Sequence, residues 1–291
     1  MHRSPLFSLP VHERPDVVAD QLTNIRRFCP EAIVCVHVSR SYDGDMAPFS
    51  ALARTPGVLL NPRRFEVLRG RGLFHVHVAN FMHARAAHPE IGRICLISSN
   101  ELLVRAGVSD YLGAHDAGAQ FEMFDPATDW QVFRKRPDTL PEIAALLRFL
   151  DLPVIFGGQS EGQFYDSDLF FEIAQVFLRF LPLAPSQFET DEVLPQTIAL
   201  RFLGPANRIG LPFTLQNYCN RFDITPEVIA TIRAGRGWVF GPRMPGTLPS
   251  PHVGLHDLSS VFAVKRVPRE SCALRSLIAE LPASEPVARA A

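Results

Sequence analysis

The sequence lacks several features that would place it at once in a common class of protein. No run of apolar residues approaches the ~20 that a membrane-spanning helix needs, and the opening stretch MHRSPLFSLPVHERP has no adequate signal-peptide core. The five cysteines are scattered and include no CxxC pair, which argues for a reducing compartment and against a disulfide framework. We therefore expect a cytoplasmic protein, with a peripheral contact at the inner face of the membrane left open.

A large excess of charge of either sign is also missing. The formal net charge is -1, so no global field favours nucleic acid, and we expect no nucleic-acid partner. Hydrophobic residues make up 47% of the 291 residues and charged residues 20%, a composition that excludes a disordered chain. The length suits one large α/β domain or two small ones.

Strand-like and helix-like apolar patterns alternate along the chain. The run EAIVCVHVS is typical of a buried parallel strand, and PDVVADQLTNIRRF has apolar residues at helical spacing. The predicted strands cover 6–12, 31–39, 57–62, 93–99 and 259–267. The predicted helices cover 15–28, 73–88, 165–181, 224–235 and 269–281, and a further helix is predicted to begin near Asp191. This order indicates a single α/β domain with a mostly parallel central sheet flanked by helices.

Polar clusters follow two of the predicted strands, where parallel sheets bind their ligands. After the second strand, Asp43 and Asp45 form a DxD that could hold a divalent cation on a diphosphate, although the DG pair is also common in turns. After the fourth strand, Ser98, Ser99 and Asn100 suit either a ligand contact or the N-cap of a helix. At both positions a ligand-binding role and a purely structural role stay open.

Two further segments contain polar side chains, and each segment has both a functional and a structural interpretation. FGGQSEGQFYDSD, residues 156–168, lacks the GK[ST] end of a Walker loop, and it either grips sugar hydroxyls or makes a tight connection that needs glycine. In AVKRVPR, Lys265 and Arg266 face opposite sides of a strand, so only one of them can face a given cleft. A lysine in a cleft can neutralise a leaving phosphate, and the alternative is a solvated edge strand.

The segment ETDEVLPQT has the pattern of a helix start. Thr190 suits the N-cap, and Asp191 and Glu192 suit the first turn. The helix dipole favours the ionised form of a carboxylate at a helix N-terminus. We therefore expect Glu192 to be ionised and ready to accept a proton, as a general base must be.

Taken in chain order, these segments resemble one family of glycosyltransferases. RICLISSNELLVRAGVSDYL is similar to that family's LLSGxDxPL strand, ETDEVLPQTI to its PDExFFQT motif, and VFAVKRV to its FARKF ending. GGQSEGQFYDSDLFFEIAQ is similar to its Gly/Gln-rich turn before a helix. Over roughly residues 6–280, the chain resembles the core-2/I-branching N-acetylglucosaminyltransferase and peptide O-xylosyltransferase family, in a bacterial form.

The resemblance implies an inverting glycosyltransferase that works without a bound metal or other cofactor. It implies a single Rossmann-like nucleotide-sugar-binding domain of the GT-A type. It also implies a nucleotide sugar and a glycan acceptor as partners, in surface or secreted polysaccharide biosynthesis. The domain would span 1–291, with a nucleotide-sugar-binding half at 1–112, an acceptor-binding and catalytic half at 113–282, and a flexible tail at 283–291. Donor, linkage and oligomeric state stay open.

The resemblance also implies roles for individual residues. Glu192 would be the general base, and Lys265 and Arg243 would stabilise the departing diphosphate. Glu161 and Asp191 would contact the acceptor. The remaining donor-binding residues would be His37, Ser39, Ser98, Ser99 and Asn100.

Two alternatives to this function stay open. One is a metal-dependent glycosyltransferase that uses Asp43 and Asp45. The other is a non-catalytic carbohydrate- or nucleotide-binding module with the same fold. Ser39 stands where the family tends to have an acid, and SSNE replaces its SGxD pattern, so the identity of the donor also stays open.

Overall fold

Strands and helices alternate over the first third of the chain, in the predicted order and with one added short helix, α2. The computed structural model describes residues 3–12, 14–67, 72–125, 127, 130–181, 188–216, 223–236, 238–240 and 255–283. The first elements are β1 (Pro5–Val11), α1 (Pro15–Phe28), β2 (Ile33–Val38), α2 (Ala47–Leu52), β3 (Val58–Leu60), α3 (Leu73–Ala87) and β4 (Arg93–Leu96).

The rest of the described chain adds short strands and further helices. The strands are β5 (Glu101–Leu103), β6 (Ala117–Gly118), β7 (Glu122–Met123), β8 (Phe156–Gly157), β9 (Phe164–Asp166), β10 (Ile209–Gly210), β11 (Thr214–Gln216), β12 (Trp238–Phe240), β13 (Leu255–Asp257) and β14 (Ala263–Lys265). The helices are α4 (Val108–Ala114), α5 (Gln131–Arg134), α6 (Pro141–Leu150), α7 (Ser167–Phe180), α8 (Leu194–Ala199), α9 (Pro226–Ala234) and α10 (Ala273–Glu280). The predicted helices at 165–181, 224–235 and 269–281 are confirmed as α7, α9 and α10.

The main sheet has seven strands in the order β10-β6-β9-β4-β1-β2-β3. Six of them run in one direction, and β9 is antiparallel to both of its neighbours. The prediction of an α/β fold with a mostly parallel sheet flanked by helices is therefore confirmed. Strands from both sides of residue 112 share this sheet, and the proposed division of the chain into halves stays a prediction.

The order of the parallel strands reverses at β1. The chain passes from β1 to β2 and β3 on one side, and then crosses back to place β4 on the other side of β1. Ligands of open α/β sheets bind at the carboxyl ends of strands beside such a reversal. The fold therefore directs attention to the segments after β1 and β4.

The two faces of the sheet are covered by two sets of helices. Successive residues of β1 point to opposite faces, so Leu6 packs in the core beneath α3 and α7 while Phe7 packs in the core beneath α1. In the first core, the ring centroid of Phe74 lies 5.9 Å from that of Phe170 and 4.6 Å from that of Phe177. Each fully buried phenylalanine stabilises the fold by about 1.5–3 kcal/mol.

A second, three-stranded sheet lies beyond the carboxyl end of β4, in the order β11-β14-β5. β14 is its central strand, parallel to β11 and antiparallel to β5. Lys265, the last residue of β14, is therefore buried between two neighbouring strands. The alternative that placed Lys265 on a solvated edge strand is wrong.

A helix that crosses a bilayer must be both long and apolar. None of the helices in the described ranges combines the length and the apolar character that such a crossing requires.

Gly162 links the two sheets and offers a test of this packing. Its φ is +76°, and a Cβ built on it would lie 2.5 Å from the backbone nitrogen of Thr214. Its amide donates to the carbonyl of Leu96 at 2.9 Å, and its carbonyl accepts from the amide of Phe213 at 3.0 Å. We expect Gly162→Ala to lower the free energy of unfolding, measured in urea, by at least about 2 kcal/mol, since both strain and contact oppose the added methyl group.

Gly113→Ala is the matched control for this substitution. Gly113 lies in α4, and a Cβ added there meets nothing within 4 Å. Alanine is favoured over glycine inside a helix by about 0.5–1 kcal/mol, so this variant should be as stable as the wild type or slightly more stable. Equal stability of the two variants would contradict the account of Gly162.

Candidate active site

Acidic and basic side chains converge where β4 ends. The loop before β9 runs alongside β4, with the amide of Leu96 donating to the carbonyl of Gln163 at 2.8 Å. On the other side of this loop, Phe213 leads into β11 of the small sheet. The two sheets thus bring the end of β14, the start of β5 and the loop around Glu161 to one place.

An ion pair between Lys265 and Glu161 lies at the centre of this place. The ammonium of Lys265 donates to the carboxylate of Glu161, and the two side chains are 10% and 12% exposed. Burial raises the pKa of the Glu161 carboxyl, but the charge and hydrogen bond of Lys265, together with hydrogen bonds from the backbone and Ser160, hold that pKa below its ordinary value. Breaking a buried ion pair by removing one partner typically costs about 3–5 kcal/mol.

Glu101 is a second carboxyl beside Lys265, and the sequence interpretation gave it no role. It lies directly opposite Lys265 in the pairing of β5 with β14. Its carboxylate accepts from the amide of Ser98 at 3.1 Å and from the hydroxyl of Thr214. Burial raises the pKa of Glu101 to about 7, the Thr214 hydrogen bond lowers it, and the Glu161 charge raises it further. The signal in the sequence was an acid that opens an otherwise apolar strand, ELLV.

The acidic pair Asp191 and Glu192 lies on a 3₁₀ turn, Thr190–Glu192, and not at the start of an α-helix. The expected helix begins only at Leu194, because Pro195 has no amide hydrogen with which to bond the carbonyl of Asp191. The side chain of Gln163 donates to that carbonyl instead, at 3.1 Å. The prediction that Thr190 caps a helix is wrong.

Glycine allows the chain to approach this turn closely. The amide of Gly158 donates to the carbonyl of Glu192 at 2.9 Å. A Cβ on Gly157 would lie 2.8 Å from the same carbonyl oxygen. Of the two interpretations of the Gly/Gln segment, a tight connection that needs glycine is therefore supported, and it positions the backbone of Glu192.

The protonation of the acidic pair differs from the expectation. Burial raises the pKa of Asp191 from 3.8 to about 7, and the charge of Glu161 adds to the shift. Burial and the neighbouring Asp191 carboxylate raise the pKa of Glu192 well above its ordinary value. The expectation that a helix terminus keeps Glu192 ionised is wrong, because the turn is too short to supply the dipole and the neighbours are acidic.

Buried glutamines connect the segments that carry these acids. The Nε2 of Gln163 donates to the carbonyls of Gln159 at 2.6 Å and Asp191 at 3.1 Å, and its Oε1 accepts from the hydroxyl of Tyr165 at 2.6 Å. The Nε2 of Gln159 donates to the carbonyl of Thr214 at 2.7 Å. Satisfied buried amides of this kind hold a backbone in one arrangement.

A second lysine pairs with a further acid next to the turn. The ammonium of Lys135 donates to the carboxylate of Glu189, whose charge acts on both Asp191 and Glu192. The 29 basic residues of the sequence include two lysines, Lys135 and Lys265. Both lysines of the chain therefore pair with this group of acids.

The predicted donor-binding residues at the end of β2 form a separate corner. The Nε2 of His37 accepts from the amide of Phe65 at 2.8 Å, and the two rings are stacked with centroids 5.6 Å apart. Burial lowers the pKa of His37 to about 4, so the ring is neutral, and its Nδ1 has no hydrogen-bond partner among the described residues. The hydroxyl of Ser39 contacts that of Ser41 at 2.8 Å.

The polar residues after β4 lead into β5, so the alternative in which they cap a helix is wrong. The hydroxyl of Ser98 contacts Asn100 and Glu101, both at 3.4 Å. The carbonyl of Asn100 accepts from the amide of Val267 at 2.9 Å, and Ser99 is buried. These residues therefore join β4 to the small sheet beside Lys265.

Two other predicted groups lie elsewhere. Asp43 and Asp45 are exposed, and the carboxylate of Asp45 accepts from the amide of Ala47 at 2.9 Å, at the start of α2. Arg243 falls outside the described residues, as does most of the predicted tail. Their assigned roles stay predictions.

Known proteins offer a distant likeness to this chain. No protein-family model matches it, and no curated protein matches it. Among solved structures, the galactosyltransferase LgtC in complex with donor and acceptor sugar analogs is similar at a TM-score of 0.38 and 10% identity, over 78% of this chain and 81% of that one. The residues of the site must therefore indicate the function.

Asp191 makes the stability of the protein depend on pH. Between its ordinary pKa of 3.8 and its folded pKa of about 7, the carboxyl is protonated in the folded protein and ionised in the unfolded one, so the wild type loses stability as the pH rises through this range. Asp191→Asn removes this loss. We expect the melting temperature of the variant, relative to the wild type, to be several degrees higher at about pH 8 than at about pH 5.

Asp43→Asn serves as the control, because Asp43 is an exposed aspartate away from the acidic group. This substitution should leave the pH dependence of the melting temperature as it is in the wild type. If Asp191→Asn behaves in the same way, the burial assigned to the Asp191 carboxyl is wrong.

Proposed function

We propose that the protein is a glycosyltransferase that moves a sugar from a nucleotide-sugar donor to a hydroxyl of a glycan acceptor, with inversion and without a bound metal. One observation carries the proposal. Two carboxyls with raised pKa values, those of the buried Asp191 and the partly buried Glu192, lie near a buried lysine, Lys265, at the carboxyl end of β4. Titratable groups with such shifts at the strand ends of an α/β sheet are typical of active sites.

The chemistry of inverting transfer requires two groups of opposite kind. A base removes the proton of the acceptor hydroxyl, and a cation stabilises the negative charge of the departing diphosphate. In the proposed mechanism Glu192 is the base and Lys265 is the cation, while Asp191 and Glu161 hold the acceptor. The field of Lys265 reaches Glu192, since its charge lowers the pKa of that carboxyl.

The proposed mechanism requires Glu192 to be ionised before it can act as a base. Burial and the neighbouring Asp191 raise the pKa of Glu192 well above its ordinary value, so this carboxyl loses its proton at a higher pH than an exposed glutamate does. It must lose this proton before it can accept another from the acceptor. The rate of the proposed reaction should therefore rise with pH as this carboxyl ionises.

The donor is proposed to extend from Lys265 towards the end of β2. His37, Ser39, Ser98, Ser99 and Asn100 are the proposed contacts of the donor. The neutral ring of His37 carries a proton on Nδ1, since Nε2 accepts a hydrogen bond, and that buried donor has no partner among the described residues. Such unsatisfied groups need an explanation, and a ligand-binding corner supplies one. Arg243 remains a proposed second cation.

The cellular role is proposed from the resemblance of the sequence alone. Members of the resembled family suggest surface or secreted polysaccharide biosynthesis. The scattered cysteines suggest a cytoplasmic protein, and a peripheral contact at the inner face of the membrane stays open. The donor can be identified with a panel of nucleotide sugars, because a ligand that binds only the folded state raises the melting temperature.

Glu192→Gln tests the assigned base. The amide keeps the shape of the side chain and cannot accept the proton, so kcat should fall by at least about 100-fold while the donor still raises the melting temperature. Sugar transfer is measured with the donor found by thermal shift. Glu142→Gln, an exposed acid at the start of α6, should transfer at the wild-type rate. Transfer by Glu192→Gln at the wild-type rate would show that the mechanism is wrong.

Chelation of metal tests the second part of the proposal. Transfer should continue in excess EDTA, because Lys265 supplies the positive charge that a divalent cation supplies in other transferases. Loss of activity in EDTA that magnesium or manganese restores, together with the same loss in Asp43→Asn, would favour the metal-dependent alternative. A wild-type protein that binds the donor but neither transfers nor hydrolyses the sugar would favour the non-catalytic module.

A further inference from the structure

The cation that the proposed function assigns to the diphosphate already has a partner. Lys265 donates to Glu161, and both side chains are almost fully buried. The carboxylate of Glu161 therefore competes with a second anion for this ammonium, and a diphosphate binds Lys265 most strongly when Glu161 moves or is neutralised. The carboxylate of Glu161 thus binds Lys265 where an anionic ligand would otherwise bind.

The surroundings of Lys265 determine the fate of the Glu161 carboxylate once it is displaced. The acids that face this place are Glu101 on β5, Glu161 itself on the loop before β9, and Asp191 and Glu192 on the 190–192 turn. His77 on α3 is buried and neutral, and the charge of Glu161 raises its pKa, which burial lowers. The other nearby ammonium, Lys135, is paired with Glu189.

We propose that Lys265 exchanges partners, so that the diphosphate of the donor displaces Glu161 from Lys265 and the released Glu161 carboxylate takes up one proton from solvent. This inference rests on the proposed function, in which Lys265 binds the diphosphate. A buried carboxylate without its cation, next to Asp191 and Glu192, is strongly disfavoured in its charged form. The proton moves from water to Glu161, and no bond other than this O–H bond forms in the exchange.

The exchange has two consequences for binding. Part of the intrinsic affinity of Lys265 for phosphate is used to displace Glu161, so the protein binds diphosphates more weakly than its lysine would allow. Binding also becomes weaker as the pH rises, because the released carboxylate must be protonated. The protonated Glu161 is then a hydrogen-bond donor next to the acceptor site.

Inorganic pyrophosphate is the probe for a calorimetric test of the full chain. The wild type should take up close to one additional proton per pyrophosphate, measured in two buffers with different ionisation enthalpies. Glu161→Gln should bind pyrophosphate roughly tenfold more tightly, since the neutral amide no longer competes for Lys265. It should also take up correspondingly fewer protons. The protons of pyrophosphate itself cancel in this comparison.

Glu189→Gln is the matched control. Glu189 has the same exposure as Glu161, 12%, and it also pairs with a lysine, but that lysine is Lys135. Its substitution removes one negative charge from the same group and leaves the partner of Lys265 in place. The affinity for pyrophosphate should rise much less than in Glu161→Gln, and the proton uptake should stay at the wild-type value.

The failure of this inference is distinguishable from failure of the proposed function. Lys265→Met should abolish binding of pyrophosphate; if it does not, the role of Lys265 in the proposed function is wrong. If Lys265→Met abolishes binding but Glu161→Gln leaves affinity and proton uptake at the wild-type values, the exchange alone is wrong. Should Glu161→Gln fail to fold, the wild type is titrated with sulfate, an anion that exchanges no proton near neutral pH, and binding of sulfate without proton uptake would overturn the exchange.

Discussion

The arrangement of the site depends on how a buried excess of negative charge is neutralised. Five acids lie close enough for the charge on one to alter the pKa of the next: Glu101, Glu161, Glu189, Asp191 and Glu192. Two lysines pair with two of these acids. Glu101, Asp191 and Glu192 hold protons more tightly than acids in water do, so the group as a whole avoids a large uncompensated charge.

Neutral groups hold this charged arrangement together. The segments that carry the acids are joined by the side-chain amides of Gln159 and Gln163 and by backbone contacts that need Gly157 and Gly162. A buried amide with satisfied hydrogen bonds costs far less than another buried charge. The same residues fix the distance between Lys265 and the acids, so the connecting structure also determines the electrostatics.

Local patterns in the sequence predicted the strands and helices of the main sheet well. They could not predict contacts between residues that are far apart in the sequence. The alternation of strands and helices from β1 to β4 follows from apolar spacing within each segment. The pairing of Lys265 with Glu161 joins residues 104 positions apart and depends on the register of β14 with β5. The 190–192 turn was missed for a local reason, since Pro195 sits where a helix from Asp191 would need an amide hydrogen.

The use of lysine at this site has a physical reason. Arginine supplies nearly all of the basic residues of the chain, yet both lysines face the acidic group. A guanidinium would bind a carboxylate through two parallel hydrogen bonds in a fixed plane, and such a pair resists the exchange of one anion for another. An ammonium is a compact charge with three rotatable donors on a flexible stem. In the proposed exchange, Lys265 would therefore turn from Glu161 towards a phosphate without rearrangement of the strand that carries it.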